Sequence, residues 1–230
     1  MLTPMKAALR IILLVISPCL ASQNTRATVD LSNLGESSSG ALAFTQGGPN
    51  GTPVGLWLAQ VFETGSAPGG YSLDSVQLSL DVTASPAGSV VVYLYGSSGS
   101  APGTLENTIN SGSPSASGIY TFAASGILLS PLTKYWVVAT TTADPAAEPY
   151  AWNVSSTFNY ASSDNWSMPQ TTQYASTDGT HWLTSYIIAD PLQFAVSATA
   201  VPEPGTISLA VAAAAVGMFF VRQRRAPPQF

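Results

Sequence analysis

The stretch Tyr71–Val82, YSLDSVQLSLDV, decides the fold. Val76, Leu78, Leu80 and Val82 alternate with Gln77, Ser79 and Asp81. Successive side chains of an extended chain point to opposite faces. A period of two therefore marks a strand with one face buried and one in water. Working outward, SVVVYLY at Ser89–Tyr95 and KYWVVATTT at Lys134–Thr142 are β-branched and aromatic, the composition of half-buried sheet. The same reading predicts strands at Val54–Glu63, Gly118–Ala124, Tyr150–Ser155, Trp182–Ile188 and Leu192–Ala200. Between them lie GSAPGG, ASPAGS and GSPSASG, clusters that supply turn geometry. No stretch from Thr28 to Ala200 holds helical spacing. The expectation is an all-β domain over 28–200, an antiparallel β-sandwich of jelly-roll-like form. GSAPGG at Gly65 and GSAPGT at Gly99 share turn chemistry, but their flanks do not match, so no structural repeat is read from them.

Charge narrows the function. Only 8% of the 230 residues are charged. Between Thr28 and Ala200 the sole basic residue besides His181 is Lys134. Against it stand eleven acids: Asp30, Glu36, Glu63, Asp74, Asp81, Glu106, Asp144, Glu148, Asp164, Asp178 and Asp190. A surface without clustered Lys and Arg has no grip on a phosphate backbone, which excludes nucleic acid as a partner. The acids are scattered singly, as on a solvated surface.

The two ends differ from the middle. Lys6 and Arg10 precede the apolar run Ile11–Ile16, and small residues follow up to Ser22. A basic start, an apolar centre and a small-residue end predict a secretory signal peptide over 1–21, cut near Ala21. The apolar run is short for a membrane span of roughly 20 residues, which favours removal over anchoring. Cys19 is the only cysteine. Cleavage after Ala21 leaves a mature chain without disulfides, thiolate metal sites or a cysteine nucleophile. At the other end Gly205–Val221 contains no charge, and Arg222, Arg224 and Arg225 follow. As a helix the run would be about 25 Å long, and the arginine stems can extend it to the interface. The expectation is a transmembrane helix over 205–221 with the arginines on the cytoplasmic side and the β domain outside.

Val201-Pro202-Glu203-Pro204, the apolar run and Arg222-Gln223-Arg224-Arg225, in that order and at that terminal position, resemble the PEP-CTERM sorting signal of bacterial exported proteins. The resemblance implies that 201–225 is a sorting signal. Its processing motif would be Val201, Pro202, Glu203 and Pro204. Its partners would be the inner membrane and an exosortase, a transpeptidase-like membrane enzyme that removes the tail. It also implies an association with exopolysaccharide and biofilm matrix. The two prolines hold the chain extended, a form that such an enzyme can grip. The middle of the chain is similar to the choice-of-anchor domains, of R-type. The similarity runs through WLAQVFETGS at Trp57, YSLDSVQLSLDV at Tyr71, SVVVYLYGSSGSAPGTLENTI at Ser89, LTKYWVVATTT at Leu132, YAWNVSS at Tyr150 and DPLQFAVSATA at Asp190. It covers about Leu42 to Ala200 and implies no catalytic residue.

Chemistry has little to work with. His181 is the only histidine, so a Ser-His-Asp arrangement must use it. Ser185 and Asp178 are near it in sequence, which proves nothing, because triads form in space. No GxSxG, HExxH or phosphate-cradling loop is present. No acid pair stands in a glycosidase-like motif, and Asp74, Asp81, Asp178 and Asp190 read as turn or edge residues. No cofactor is expected. A structural calcium ion would need carboxylate and carbonyl oxygens, and no DxDxDG-like loop gathers them.

The aromatic residues are the better lead. Tyr150, Trp152, Phe158, Tyr160, Trp166, Tyr174, Trp182 and Tyr186 crowd one region among Asn and Asp side chains. Flat rings with directed polar groups beside them suit pyranose sugars. The same residues also suit an ordinary sandwich core. Trp166, between Asn165 and Ser167, is expected to be exposed, and Trp152 buried. The candidate carbohydrate-binding residues are Trp166, Trp182, Tyr174 and Asn165. The expected protein is a non-enzymatic surface or matrix component that binds polysaccharide. The alternatives are an extracellular glycan hydrolase and a purely structural surface protein.

Overall fold

A computed structural model of the chain describes residues 28–83, 88–169, 174–183 and 190–203. The chain divides into two units, Ala27–Val201 and Met1–Arg26 with Pro202–Phe230. Only the first is described at length. The expected signal peptide, Pro204, the apolar run 205–221 and Arg222, Arg224 and Arg225 lie outside the described residues. Among the described residues no helix is long and apolar enough to cross a membrane.

The first unit is antiparallel β-structure. Its strands are β1 (Thr28–Ser32), β2 (Ser38–Ala43), β3 (Thr45–Gly47), β4 (Pro53–Gly55), β5 (Trp57–Glu63), β6 (Tyr71–Val82) and β7 (Val90–Ser98). There follow β8 (Ala101–Gly112), β9 (Gly118–Leu129), β10 (Lys134–Thr141), β11 (Tyr150–Ser155), β12 (Ala161–Ser162), β13 (Tyr174–Ser176) and β14 (Phe194–Ala200). One sheet has seven strands in the order β12-β1-β14-β6-β11-β2, with β9 paired to β6. A second has five, β13-β5-β10-β7-β8. A ribbon of β3 and β4 completes the set.

The alternation in β6 is the hinge of this arrangement. Tyr71, Leu73, Val76, Leu78 and Leu80 are all 2% exposed or less. The period slips once, at Asp74, where the pairing with β9 shifts register between Leu73 and Ser75. A bulge adds one residue and restores the inward face beyond it. Asp74 accepts a hydrogen bond from Thr199 Oγ1 at 2.8 Å there. Against this face pack Leu58 and Phe62 of β5, Val92 and Leu94 of β7, and Val137 and Ala139 of β10. Each inward set recurs at every second residue of its strand, so two sheets share one core.

Buried polar groups tie the edges. Asp30 sits where the β1–β14 register shifts. It accepts from Ser163 Oγ at 2.8 Å and from the Ala198 amide at 2.8 Å, joining β1 to β14 and to the chain beyond β12. Asn33 bonds the Leu192 carbonyl and the Phe194 amide. Gln60, on the inward face of β5, accepts from the Leu192 amide. A buried polar side chain without such partners would cost about 1–3 kcal/mol.

Most expected strands are present, with shifted ends. Val54–Glu63 is broken at Leu56, whose amide bonds the Phe44 carbonyl, so β4 leaves to pair with β3. Of Trp182–Ile188, the described part makes a single bridge, Ala175 with Leu183. The strands β1, β2, β3, β8, β12 and β13 were not expected.

Candidate functional site

The structure separates the four candidate sugar-binding residues. Trp166 follows a turn in which Asp164 and Asn165 have φ of 44° and 60°. The Trp166 amide closes the turn on the Ser163 carbonyl at 2.9 Å. Two successive positive φ values are the mark of a type I′ turn, which sends the chain straight back. Trp166 is thereby carried inward and is 1% exposed, which corrects the expectation of an exposed ring. Its indole stacks on Phe62, with centroids 5.9 Å apart, and meets Tyr71 edge-on at 4.9 Å. The Tyr71 hydroxyl donates to Asp164 Oδ2. Burial, then the bond to Asp164, raises the Tyr71 pKa above its usual value. A Cβ on Gly65 would lie 2.1 Å from the Asp164 carbonyl oxygen and 2.8 Å from Trp166 Cδ1, so the site admits only glycine. Asn165 is exposed at the turn. Polar neighbours in sequence suggested a wet ring; the turn geometry decided otherwise. Trp152 is fully buried, as expected, with Nε1 donating to the Gln193 carbonyl at 2.8 Å.

Trp182 and Tyr174 lie together on the outer face of the five-stranded sheet. In β5, β7 and β10 the residues between the inward ones are Trp57, Ala59 and Val61, Tyr93 and Tyr95, and Trp136 and Val138. These form a second apolar cluster with Tyr174 and Trp182. The rings are organised in pairs. Trp57 stacks on Tyr93 at 5.0 Å, Tyr95 meets Trp182 edge-on at 5.7 Å, and Trp136 meets Tyr174 edge-on at 5.4 Å. Trp57, Tyr93 and Trp182 are half-buried, so part of each ring meets water. Trp182 Nε1, like Trp166 Nε1, is buried without a hydrogen-bond partner among the described residues. A buried indole N–H ordinarily finds one.

A turn is pinned to this face. Asp178 Oδ1 accepts from Ser176 Oγ at 3.0 Å and from the amides of Thr180 and His181, each at 2.8 Å. Oδ2 lies 2.6 Å from His181 Nδ1. The His181 ring, then its amide and that of Thr180, hold the Asp178 carboxyl far below the usual carboxylate range. Gly179, at φ +73°, lies flat on the Trp57 indole, where a Cβ would be 3.0 Å from the ring. Tyr93 and Tyr95 are raised by burial. For Tyr95 the neighbouring Tyr93 and then Asp178 add to the effect.

Sequence reasoning missed Trp57, Tyr93, Tyr95 and Trp136. The signal was present: VVVYLY is apolar at successive positions, not alternate ones, and so is WLAQV except at Gln60. A strand apolar on both faces is covered on both.

The molecule also has an open groove of about 720 Å³ where β5, β7, β8 and β10 meet the turn before β10. Glu63, Glu106 and Lys134 line it with Tyr135 and Leu128. Among the described residues no group of His, Cys, Asp and Glu could hold a metal ion.

No family model matches the sequence, and no curated protein does. Among solved structures, the chain is similar to a clostridial cysteine protease, Cwp84, after propeptide cleavage. The TM-score is 0.53 at 15% identity, over 75% of this chain and 40% of that one. A second similar structure contains the cysteine protease and lectin-like domains of Cwp84, a surface layer associated protein of Clostridium difficile. It has a TM-score of 0.47 at 16% identity, over 65% of this chain and 33% of that one. The chain thus spans less than half the length of either. At such identity the first likeness is one of fold.

Proposed function

We propose that this is an exported bacterial surface or matrix protein, not an enzyme, that binds polysaccharide through the outer aromatic face of its five-stranded sheet. The observation that carries the reading is the set of half-buried rings Trp57, Tyr93 and Trp182 on a sheet face. Sugar rings present C–H faces to aromatic planes and hydroxyls to polar tips. The test uses the full chain purified in mild detergent and a panel of neutral polysaccharides in affinity electrophoresis. Trp57→Ala and Trp182→Ala should each weaken retention about tenfold, with the far-ultraviolet spectrum unchanged. Undiminished retention in both variants would refute the site.

Delivery rests on the tail. In this reading Val201-Pro202-Glu203-Pro204 is the processing motif of an exosortase, and the apolar run is a temporary anchor in the inner membrane. Val201 is tied to the domain by its amide, which bonds the Gly70 carbonyl at 2.9 Å, while Pro202 and Glu203 are exposed. Protein extracted from the surface of the native host should therefore have a mass lacking Thr206 to Phe230. A mass that includes the arginines would refute the processing.

The second reading, a glycan hydrolase, is favoured by Glu63 and Glu106 lining one groove. It requires hydrolysis that Glu63→Gln and Glu106→Gln abolish.

A further inference from the structure

We infer that a small cavity between the two sheets receives an acetyl group of the glycan, with Thr45 Oγ1 donating a hydrogen bond to its carbonyl oxygen. This rests on the polysaccharide reading above and names the substituent by which the sugar is chosen.

The first ground is the cavity itself. β2 and β13 end the order of their sheets. After Ala43 the chain leaves the seven-stranded sheet, and β3 pairs with β4 instead. The layers are left unfilled there, and a cavity of about 80 Å³ lies among Leu42, Thr45, Leu56, Leu58, Ala175 and Leu192. All of these but Leu42 are buried. Leu42 and Ala43, which also lines the space, are half-buried, so the mouth lies at β2. Tyr174 borders the same space while its ring meets Trp136 on the outer face, so β13 stands between the cavity and the aromatic cluster.

The second ground is an orphan hydroxyl. Thr45 is 7% exposed, and its Oγ1 is buried with no hydrogen-bond partner among the described residues. Such a group costs stability until something bonds it. It is the one unsatisfied polar side-chain atom on the cavity wall. A buried water needs about two to four polar partners, and here the neighbouring side chains are aliphatic.

The third ground is size and chemistry. An apolar cavity of about 150 Å³ takes a benzene ring. A space of about 80 Å³ takes about half as many heavy atoms, which is the size of an acetyl group. The methyl suits the leucine walls, and the carbonyl oxygen accepts from Thr45. A methyl group alone would leave the hydroxyl unpaired. A carboxylate would lose its water with no cation on the wall to replace it.

Calorimetry on the full chain in mild detergent compares two pairs of neutral oligomers of equal length. Chitin and cellulose oligomers differ by the N-acetyl group. O-acetylated xylan oligomers before and after mild alkali differ by the acetyl ester. The parent should bind the acetylated member of one pair about tenfold more tightly, and that pair identifies whether the acetyl sits on nitrogen or on oxygen. Thr45→Val keeps the shape and removes the hydroxyl. It should bring the two affinities within about twofold, while the unfolding midpoint without sugar stays or rises. Ala175→Val fills the space and should bring the same loss of preference. No preference in either pair would overturn the inference, and retention on some polysaccharide would leave the polysaccharide reading standing. A preference that survives either substitution would overturn it too. A lowered midpoint in Thr45→Val would show the hydroxyl already bonded and overturn it as well. Binding of no oligomer, together with no retention on any polysaccharide, would remove both readings.

Discussion

Two turns of like composition place their tryptophans in opposite surroundings. SDNW, Ser163–Trp166, and DGTHW, Asp178–Trp182, each set a Trp a few residues after an Asp among small polar side chains. In the first, paired positive φ values at Asp164 and Asn165 reverse the chain at once, and the indole falls between Phe62 and Tyr71. In the second, Asp178 gathers the amides of Thr180 and His181, and the chain runs along the outer sheet face before Trp182 arrives. The Asp roles differ accordingly. Asp164 accepts from a core phenol, whereas Asp178 binds its own turn and faces solvent. Composition decided neither outcome; the backbone between Asp and Trp decided both.

The largest expected effect breaks the first turn. Trp166→Ala should cost about 3–5 kcal/mol in denaturant unfolding, comparable with Trp152→Ala, because each leaves a cavity in the core. Trp182→Ala should cost about 1 kcal/mol, nearer the average for a point substitution. Equal costs for Trp166 and Trp182 would erase the contrast between the turns. The smallest effect belongs to the second turn. The folded Asp178 carboxyl titrates far below its unfolded value, so its contribution is fully present above the unfolded pKa of about 3.9 and fades as pH falls from there toward the folded pKa. The stability difference between the parent and Asp178→Asn in denaturant unfolding should therefore be present at neutral pH and shrink on acidification below about pH 4. A difference that does not shrink would assign the effect of the substitution to something other than the charge.

Much of the sandwich was legible because a buried strand face writes itself as a period of two. Tyr71–Val82 carries that record almost to its ends, whereas Lys134–Thr141, buried at six successive residues, is legible by its β-branched and aromatic composition. The strand β8, APGTLENTINSG, carries none. It pairs only with β7, its register slips three times, and nearly all its side chains are exposed or half-buried. A strand at a sheet edge with water around it has no burial pattern to write. The outer aromatic cluster was half legible: Tyr174 and Trp182 stand out by their crowding among polar residues. Trp57 and Tyr93 were absorbed into strands, because a chain apolar on both faces resembles a fully buried one. Trp166 was misplaced because positive φ at Asp and Asn is a conformational choice that neighbours in sequence do not dictate.

The seven-stranded sheet has its last strand near its middle. β14 lies between β1 and β6 and makes both ladders. Of the partners of β1, only the two-residue β12 precedes β14 in the chain, so the first and the sixth strands cannot be joined through the sheet until residues 194–200 exist. A chain that folds as it emerges therefore holds its first strand in waiting until its last described strand arrives.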